Sequence, residues 1–240
     1  MCNQSCLDLT VKNLRENEVR DKSVIEVGAL NVNGSLRPMI EKFHPKNYVG
    51  VDIEMGPGVD RVCAAEDLII TFGVGNFDVV ICTELLEHVR DWRVVMHNLK
   101  GILKPGGILL ITTRSIGFDY HGFPYDFWRY EKSDMEFIFS DFELQALESD
   151  PSAPGVFVKA KRPIQCVEKS LEGHKLYSIL QNRRSSVSMN IFYGSVVCSP
   201  LVKMFKSKDR VARIMYYNAF PEKIPGLLAK KLSAIFRSEK

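Results

Sequence analysis

A glycine-bearing turn and one aspartate stand out for what they could bind. The turn runs Glu26-Val27-Gly28-Ala29-Leu30-Asn31-Val32-Asn33-Gly34-Ser35 and follows a short β-branched run. Glycine at that point lets backbone N–H groups come close to a ligand. Asp52 ends a second apolar run about 20 residues on, where a carboxylate can grip two ribose hydroxyls. The turn lacks a full GxGxxG, so no pyrophosphate-binding dinucleotide site is expected. Together these residues point to a nucleoside-bearing cofactor.

A second set could move protons. His88, in Glu87-His88-Val89, and His121, in the segment 113–130, carry imidazole, a side-chain type that suits a base for a hydroxyl acceptor. For His88, a structural role weighs as much as a chemical one. The segment 113–130 is dense in aromatics and holds Asp126 and Arg129. Such a loop could wall a substrate while Asp126 and Arg129 fix polar groups. Equally, Phe127 and Trp128 could fill core while Asp126 pairs with Arg129. The six cysteines form no second close pair after Cys2 and Cys6, so no metal site is expected and the thiols read as reduced.

These residues must be held by alternating strands and helices. Strands are expected at 23–28, 48–53, 61–64, 77–83 and 108–113, and helices at 35–43 and 91–103. Pro105-Gly106-Gly107 ends the second helix. Continuous apolar runs suit parallel strands covered on both faces. After a helix at 132–140, strands at 142–148 and 156–161 are separated by too few residues for a crossover, so they form a hairpin. The expected fold is α/β: a Rossmann-like doubly wound sheet of five parallel strands plus a C-terminal antiparallel hairpin, followed by a helical extension.

The runs VIEVG (24–28), YVGVDI (48–53), AAEDL (64–68), FDVVICTELLEHV (77–89) and LKPGGILLITT (103–113) stand in order along the chain. In these, over residues 23–163, the chain resembles the class I S-adenosylmethionine-dependent methyltransferases. Within them it is most similar to small members with HGFPYDFWRY (121–130) after strand five. The resemblance implies S-adenosyl-L-methionine as cofactor. Glu26 and the backbone of Gly28, Ala29, Leu30 and Asn31 would face its methionine end. Asp52 would bind the ribose hydroxyls and Ile53 would pack on the adenine. Ala65 and Glu66 would lie beside the adenine edge, and Thr83 and Glu84 would close the methionine side. Two positions depart from the pattern. Leu30 replaces the second loop glycine, and Ala64 replaces an aspartate of the adenine motif.

The sulfonium methyl is already an activated electrophile, so such an enzyme mostly supplies proximity and orientation. The implied function is methyl transfer to a small-molecule or glycan-type acceptor, at oxygen rather than nitrogen. His88, His121 and Asp126 are the candidates for work on the acceptor. The alternatives are RNA methylation and a cofactor-binding protein without transfer activity.

Composition adds the domain plan. With 45% hydrophobic and 25% charged residues the chain is an ordinary globular protein. No signal peptide or membrane-spanning run is expected, which fits a cytoplasmic protein. The net charge of +3 is a cancellation: residues 1–158 carry −9 and residues 159–240 carry +12. A methyltransferase domain is expected over 1–163 and a basic, mainly helical extension over 164–240. Amphipathic spacing at 201–215 and 228–236 leaves three readings open: packing on the domain, peripheral contact with an anionic membrane, and nucleic acid. No RNA-binding motif supports the last.

Overall fold

The chain opens with a helix that the strand and helix periodicity did not foretell. In the computed structural model, which describes residues 4–121 and 126–186, α1 spans Gln4–Asn13. It buries Cys6, Leu9 and Thr10, an i, i+3, i+4 stripe. A short helix α2 (Glu16–Val19) leads into β1 (Ser23–Val27). Then come α3 (Arg37–Glu41), β2 (Asn47–Asp52), β3 (Arg61–Val62) and α4 (Leu68–Phe72). β4 (Phe77–Thr83), α5 (Trp92–Ile102) and β5 (Leu103–Arg114) complete the parallel half.

α5 passes straight into β5, and Pro105-Gly106-Gly107 lies inside the strand as a bulge. The register jumps there from Phe77 opposite Leu103 to Val79 opposite Ile108. Beyond it lie β6 (Trp128–Arg129), α6 (Lys132–Ile138), β7 (Glu143–Ser149) and β8 (Gly155–Lys161). β8 runs antiparallel to β7, as the short connection between them requires, and pairs antiparallel with β5 as well. The seven-stranded sheet has the order β3-β2-β1-β4-β5-β8-β7. Strand order therefore reverses between β1 and β4, and in such sheets the crevice at that switch point is where ligands bind.

Alternation along the strands divides the interior between the two faces. Ile25, Val27, Val80, Cys82, Leu109 and Ile111 meet Trp92, Met96 and Leu99 of α5 in one core. Val24, Val79, Ile81 and Leu110 meet Cys6 and Leu9 of α1 and Ile40 of α3 in the other. α1 supplies Cys6 and Leu9 to that second core, beside Leu14, Val19, Leu36 and Ile40. Leu9→Ala is expected to cost about 2 kcal/mol, the low end for a buried leucine because α1 lies at the chain's periphery. A lower urea midpoint with an unchanged slope checks it.

The expected helical extension begins with strands. β9 (Leu176–Ser178) and β10 (Arg183–Ser185) form a hairpin, and β9 pairs with β6. Leu171, Leu176 and Leu180 enter the same core as α5. Residues 164–186 thus pack on the domain through isolated leucines, which carry no helical period. The amphipathic stretches at 201–215 and 228–236 lie outside the described residues. Among the described residues, no helix is long and apolar enough to cross a membrane.

Candidate functional site

A cavity of about 570 Å³ opens at the carboxyl ends of β1, β2 and β4. Its size is that of a small-molecule site. Val27, Gly28 and Leu30 form one wall, Asp52 and Ile53 the next, Ala65 and Glu66 a third. Glu84, His88 and Phe127 close the far side.

Local geometry explains the turn. Gly28 has φ +85°, and a Cβ there would stand 2.8 Å from Leu85 Cδ1. Its N–H and that of Ala29 both donate to Val51 O, at 2.9 and 3.0 Å, folding the turn back over β2. Gly58 has φ +90°, and a Cβ there would meet Ala29 O at 2.4 Å, so the following loop closes tightly on the same turn. Leu30 stands outside the left-handed region, which is why a side chain is accepted where a glycine is usual. The Leu30 N–H donates to Asp52 Oδ2 at 3.1 Å, and the Glu54 N–H approaches Oδ1 at 3.4 Å. Asp52 is thereby aimed by backbone at the cavity. Ile53 beside it is 63% exposed, an apolar surface with nothing yet packed on it.

Several expected residues support the site without lining it. Ala29 is buried, and Asn31 uses its N–H on Pro57 O and its Oδ1 on the Gly34 N–H. Thr83 is buried at the end of β4. Glu26 points to the opposite face of β1 from Val27, where its carboxyl accepts from the Tyr48 hydroxyl. Burial raises Glu26 from 4.5 to about 7, against the opposing pull of Tyr48 and Arg37. A raised folded-state value means its contribution is full below pH 4.5 and is lost as pH rises through 7. The difference in unfolding free energy between wild type and Glu26→Gln is therefore expected to shift against the wild type by on the order of 3 kcal/mol over that interval. Denaturant titrations at a series of pH values measure it.

The far side of the cavity is a set of buried polar groups. Glu84 has φ +51°, a strained conformation for a side-chain-bearing residue and one that concentrates at functional sites. Its carboxyl pairs with Arg114 and accepts from Thr112 Oγ1 at 3.0 Å. Burial and the Glu87 charge push it upward, opposed by Arg114. A single 3₁₀ turn, Leu86–His88, sets Glu87 and His88. Glu87 is fully buried; burial works against its charge, but His121 and His88 outweigh it and hold the carboxyl far below the ordinary range. Glu87 Oε1 lies 3.7 Å from His121 Nε2 and 3.8 Å from His88 Nε2. The two imidazole rings meet edge to face, 4.8 Å apart.

His121 stands beside the cavity and Asp126 lies behind it. His121 Nδ1 is 3.1 Å from Asp126 Oδ2, and Asp126 is fully buried against Arg129. Burial would lower His121, but Asp126 and Glu87 raise it to about 9. Asp126 faces the imidazole and Arg129 and does not line the cavity. The aromatic segment serves as plug and wall together. Trp128 Nε1 donates to Arg90 O at 3.0 Å, the Phe127 N–H to Glu87 O at 2.8 Å, and the Tyr130 hydroxyl to Leu86 O at 3.2 Å. These bonds pin the turn that carries Glu87 and His88, while Phe127 also faces the cavity. Glu87 is the functional candidate that sequence reasoning passed over. Its signal is present: Glu84, Glu87 and His88 stand at i, i+3 and i+4, one face of a helical turn.

Fold and cavity define an α/β domain built to hold a nucleoside-bearing ligand at its switch point. A methyltransferase domain family matches residues 3–149, more than half of the chain. The chain belongs to the class I S-adenosylmethionine-dependent methyltransferases. The ubiquinone biosynthesis O-methyltransferase of Xanthomonas axonopodis pv. citri (strain 306) is 44% identical over 62 residues, covering 25% of this chain and 26% of that protein. The chain thus spans about a quarter of the length of the curated relatives it matches. The S-adenosylmethionine-dependent methyltransferase of Mesorhizobium loti superposes with a TM-score of 0.52 at 14% identity, over 66% of this chain and 98% of that one. The Burkholderia thailandensis 1,6-didemethyltoxoflavin-N1-methyltransferase, solved with its substrate and S-adenosylhomocysteine, gives 0.52 at 11% identity, over 67% and 79%. At such identities these two structures speak for the fold.

Proposed function

We propose that this chain transfers the methyl group of S-adenosylmethionine to an oxygen of a small-molecule or glycan-type acceptor. The observation that carries this reading is the cavity at the β1/β4 switch point. It has Asp52 aimed in by the Leu30 N–H at one end and His88 at the other, with the Glu87–His88–His121 cluster behind. The residues fit the cofactor. Asp52 takes the ribose hydroxyls, Ile53 covers the adenine, and Ala65 and Glu66 meet the adenine edge. Gly28 and Leu30 wall the methionine end, their N–H groups spent on Val51 O and Asp52, and Glu84 bounds it. Glu26, Ala29, Asn31 and Thr83 hold that wall from behind.

The bound sulfonium supplies an electrophilic methyl group, so the protein's work lies in alignment and in the acceptor's proton. An amine acceptor can be methylated with little help, whereas a hydroxyl gains most from ionisation. A buried carboxylate between two imidazoles beside the cavity favours the hydroxyl. The relationship to an O-methyltransferase over a quarter of the chain supports the same choice.

Calorimetry with S-adenosylhomocysteine tests the cofactor site, and absence of binding by the wild type sinks the reading. Incubation with methyl-labelled cofactor and a cell extract tests the acceptor class. Label in metabolites or glycans is expected. Label in RNA would replace the acceptor, and binding without any label would leave a cofactor-binding protein.

A further inference from the structure

We propose that Glu87, His88 and His121 form a binding site for a divalent transition-metal ion of the zinc type at the edge of the cofactor cavity. Cysteine spacing predicts no metal site in this chain. The donors that the fold assembles are of another kind and come from two separate loops. Among the described residues, Glu87, His88 and His121 offer one ligand atom each, and all three atoms lie within 4.8 Å of one another.

Distances suit a small ion. Bonds of about 2.0–2.2 Å to nitrogen and oxygen set tetrahedral ligand atoms about 3.3–3.6 Å apart. Here Glu87 Oε1 stands 3.7 Å from His121 Nε2 and 3.8 Å from His88 Nε2, and the three ligand atoms lie within 4.8 Å of one another, so the Glu–His edges close with shifts of a few tenths of an ångström and the two imidazoles draw together by about an ångström.

An independent observation points to a ligand. Glu87 is fully buried, and among the described residues its Oε1 has no hydrogen-bond partner. Buried carboxylate oxygens are rarely left without a hydrogen bond, and the two imidazoles stand too far from Oε1 to give one. The other oxygen, Oε2, already accepts from Thr113 Oγ1 at 2.8 Å, which holds the carboxylate and leaves Oε1 toward the two imidazoles.

The surroundings of His121 are those of a metal ligand. Its Nδ1 meets the Asp126 carboxylate at 3.1 Å, which leaves Nε2, on the Glu87 side, as the ligating atom. Asp126 is in turn gripped by Arg129 Nη1 and Nη2 at 2.6 and 2.9 Å. A carboxylate behind a ligating histidine fixes its orientation and strengthens it as a ligand. Two imidazoles with one carboxylate select a transition ion over magnesium or calcium, which prefer all-oxygen sites.

Three protein ligands leave one position open, the pattern of catalytic rather than structural sites. His88 lines the cavity, so that position opens toward it, where an acceptor must meet the methyl group. This part rests on the oxygen-transfer reading. The ion binds the acceptor hydroxyl and its O–H proton passes to water. The oxygen then forms the new C–O bond as the C–S bond breaks, and the electron pair leaves on S-adenosylhomocysteine.

The test uses full-length, tag-free protein stripped of metal and titrated with Zn²⁺, and with Co²⁺ as a coloured probe. One equivalent is expected, with the visible absorption of a low-symmetry cobalt site. His121→Gln and Glu87→Gln are expected to weaken it by at least about tenfold, and Asp126→Asn by about 10- to 100-fold. His97→Ala, altering a surface histidine paired with Glu168, is expected to leave it unchanged. S-adenosylhomocysteine affinity reports folding in each variant. No zinc uptake by the wild type overturns the site, whatever the variants do. So does uptake that survives both His121→Gln and Glu87→Gln. Metal binding without methylated product in any extract leaves the site standing and removes the oxygen-transfer reading instead.

Discussion

Asp52→Ala is expected to weaken S-adenosylhomocysteine binding by about a hundredfold or more. Two hydrogen bonds from ribose hydroxyls to a carboxylate contribute about 1.5–3 kcal/mol each, because one partner is charged. The substitution removes both. It also strips the Leu30 N–H of its acceptor at 3.1 Å and so loosens the turn that faces the methionine end. Asp52→Asn keeps an acceptor oxygen and is expected to fall between wild type and alanine. Calorimetry of the three proteins gives the ranking directly. An unchanged affinity in Asp52→Ala would take this residue out of the site.

Arg129→Ala is expected to destabilise the fold by about 3–5 kcal/mol, the cost of leaving one member of a buried ion pair alone. Arg129 is 1% exposed and saturates its guanidinium within the protein. It grips Asp126 with two nitrogens and also donates to the carbonyls of Phe118, Asp119 and Trp128, at 3.2, 3.0 and 2.8 Å. Without it, Asp126 is a buried carboxylate with only His121 to face, and the aromatic segment loses its anchor. Arg129→Lys keeps the charge but not the planar fork, so a substantial part of the loss is expected to remain. Urea denaturation of both variants checks this, and a cost near 1 kcal/mol for alanine would show that the pair is dispensable.

The two substitutions probe opposite kinds of legibility. The position of Asp52 is readable because it follows from local order. A strand ends, a carboxylate stands at its tip, and a glycine turn precedes it at a set distance. The same holds for Gly28 and Ile53, which line the cavity as the motif spacing implies. Glu26 sits in the same motif yet turns to the other face of β1, because side chains alternate along a strand and Val27 takes the cavity side. Thr83 and Asn31 likewise come close in sequence and end up behind the wall.

The segment after β5 shows why the rest was hidden. Its composition is equally consistent with a substrate wall and a core plug. Phe127, Trp128 and Tyr130 are all at most 1% exposed, and their hydrogen bonds reach Glu87, Arg90 and Leu86. No pattern within the segment names those partners, since they lie on a different loop. The hairpin of β9 and β10 was hidden for the same reason: its strands are three residues each and exist only because β6 offers an edge to pair with.

By itself, the sequence determined the doubly wound parallel sheet, the reversed terminal hairpin and the placing of Asp52 and Ile53 at the strand ends that border the cavity. Each of these follows from periodicity, connection length or the residue at a strand's end, all of which are local. Only the tertiary structure decided that α1 covers a sheet face, that residues 164–186 join the core, and that Glu87, His88 and His121 converge. Those are contacts between segments far apart in the chain. They are set by which surfaces remain to be buried after the sheet has formed, a quantity no local pattern encodes.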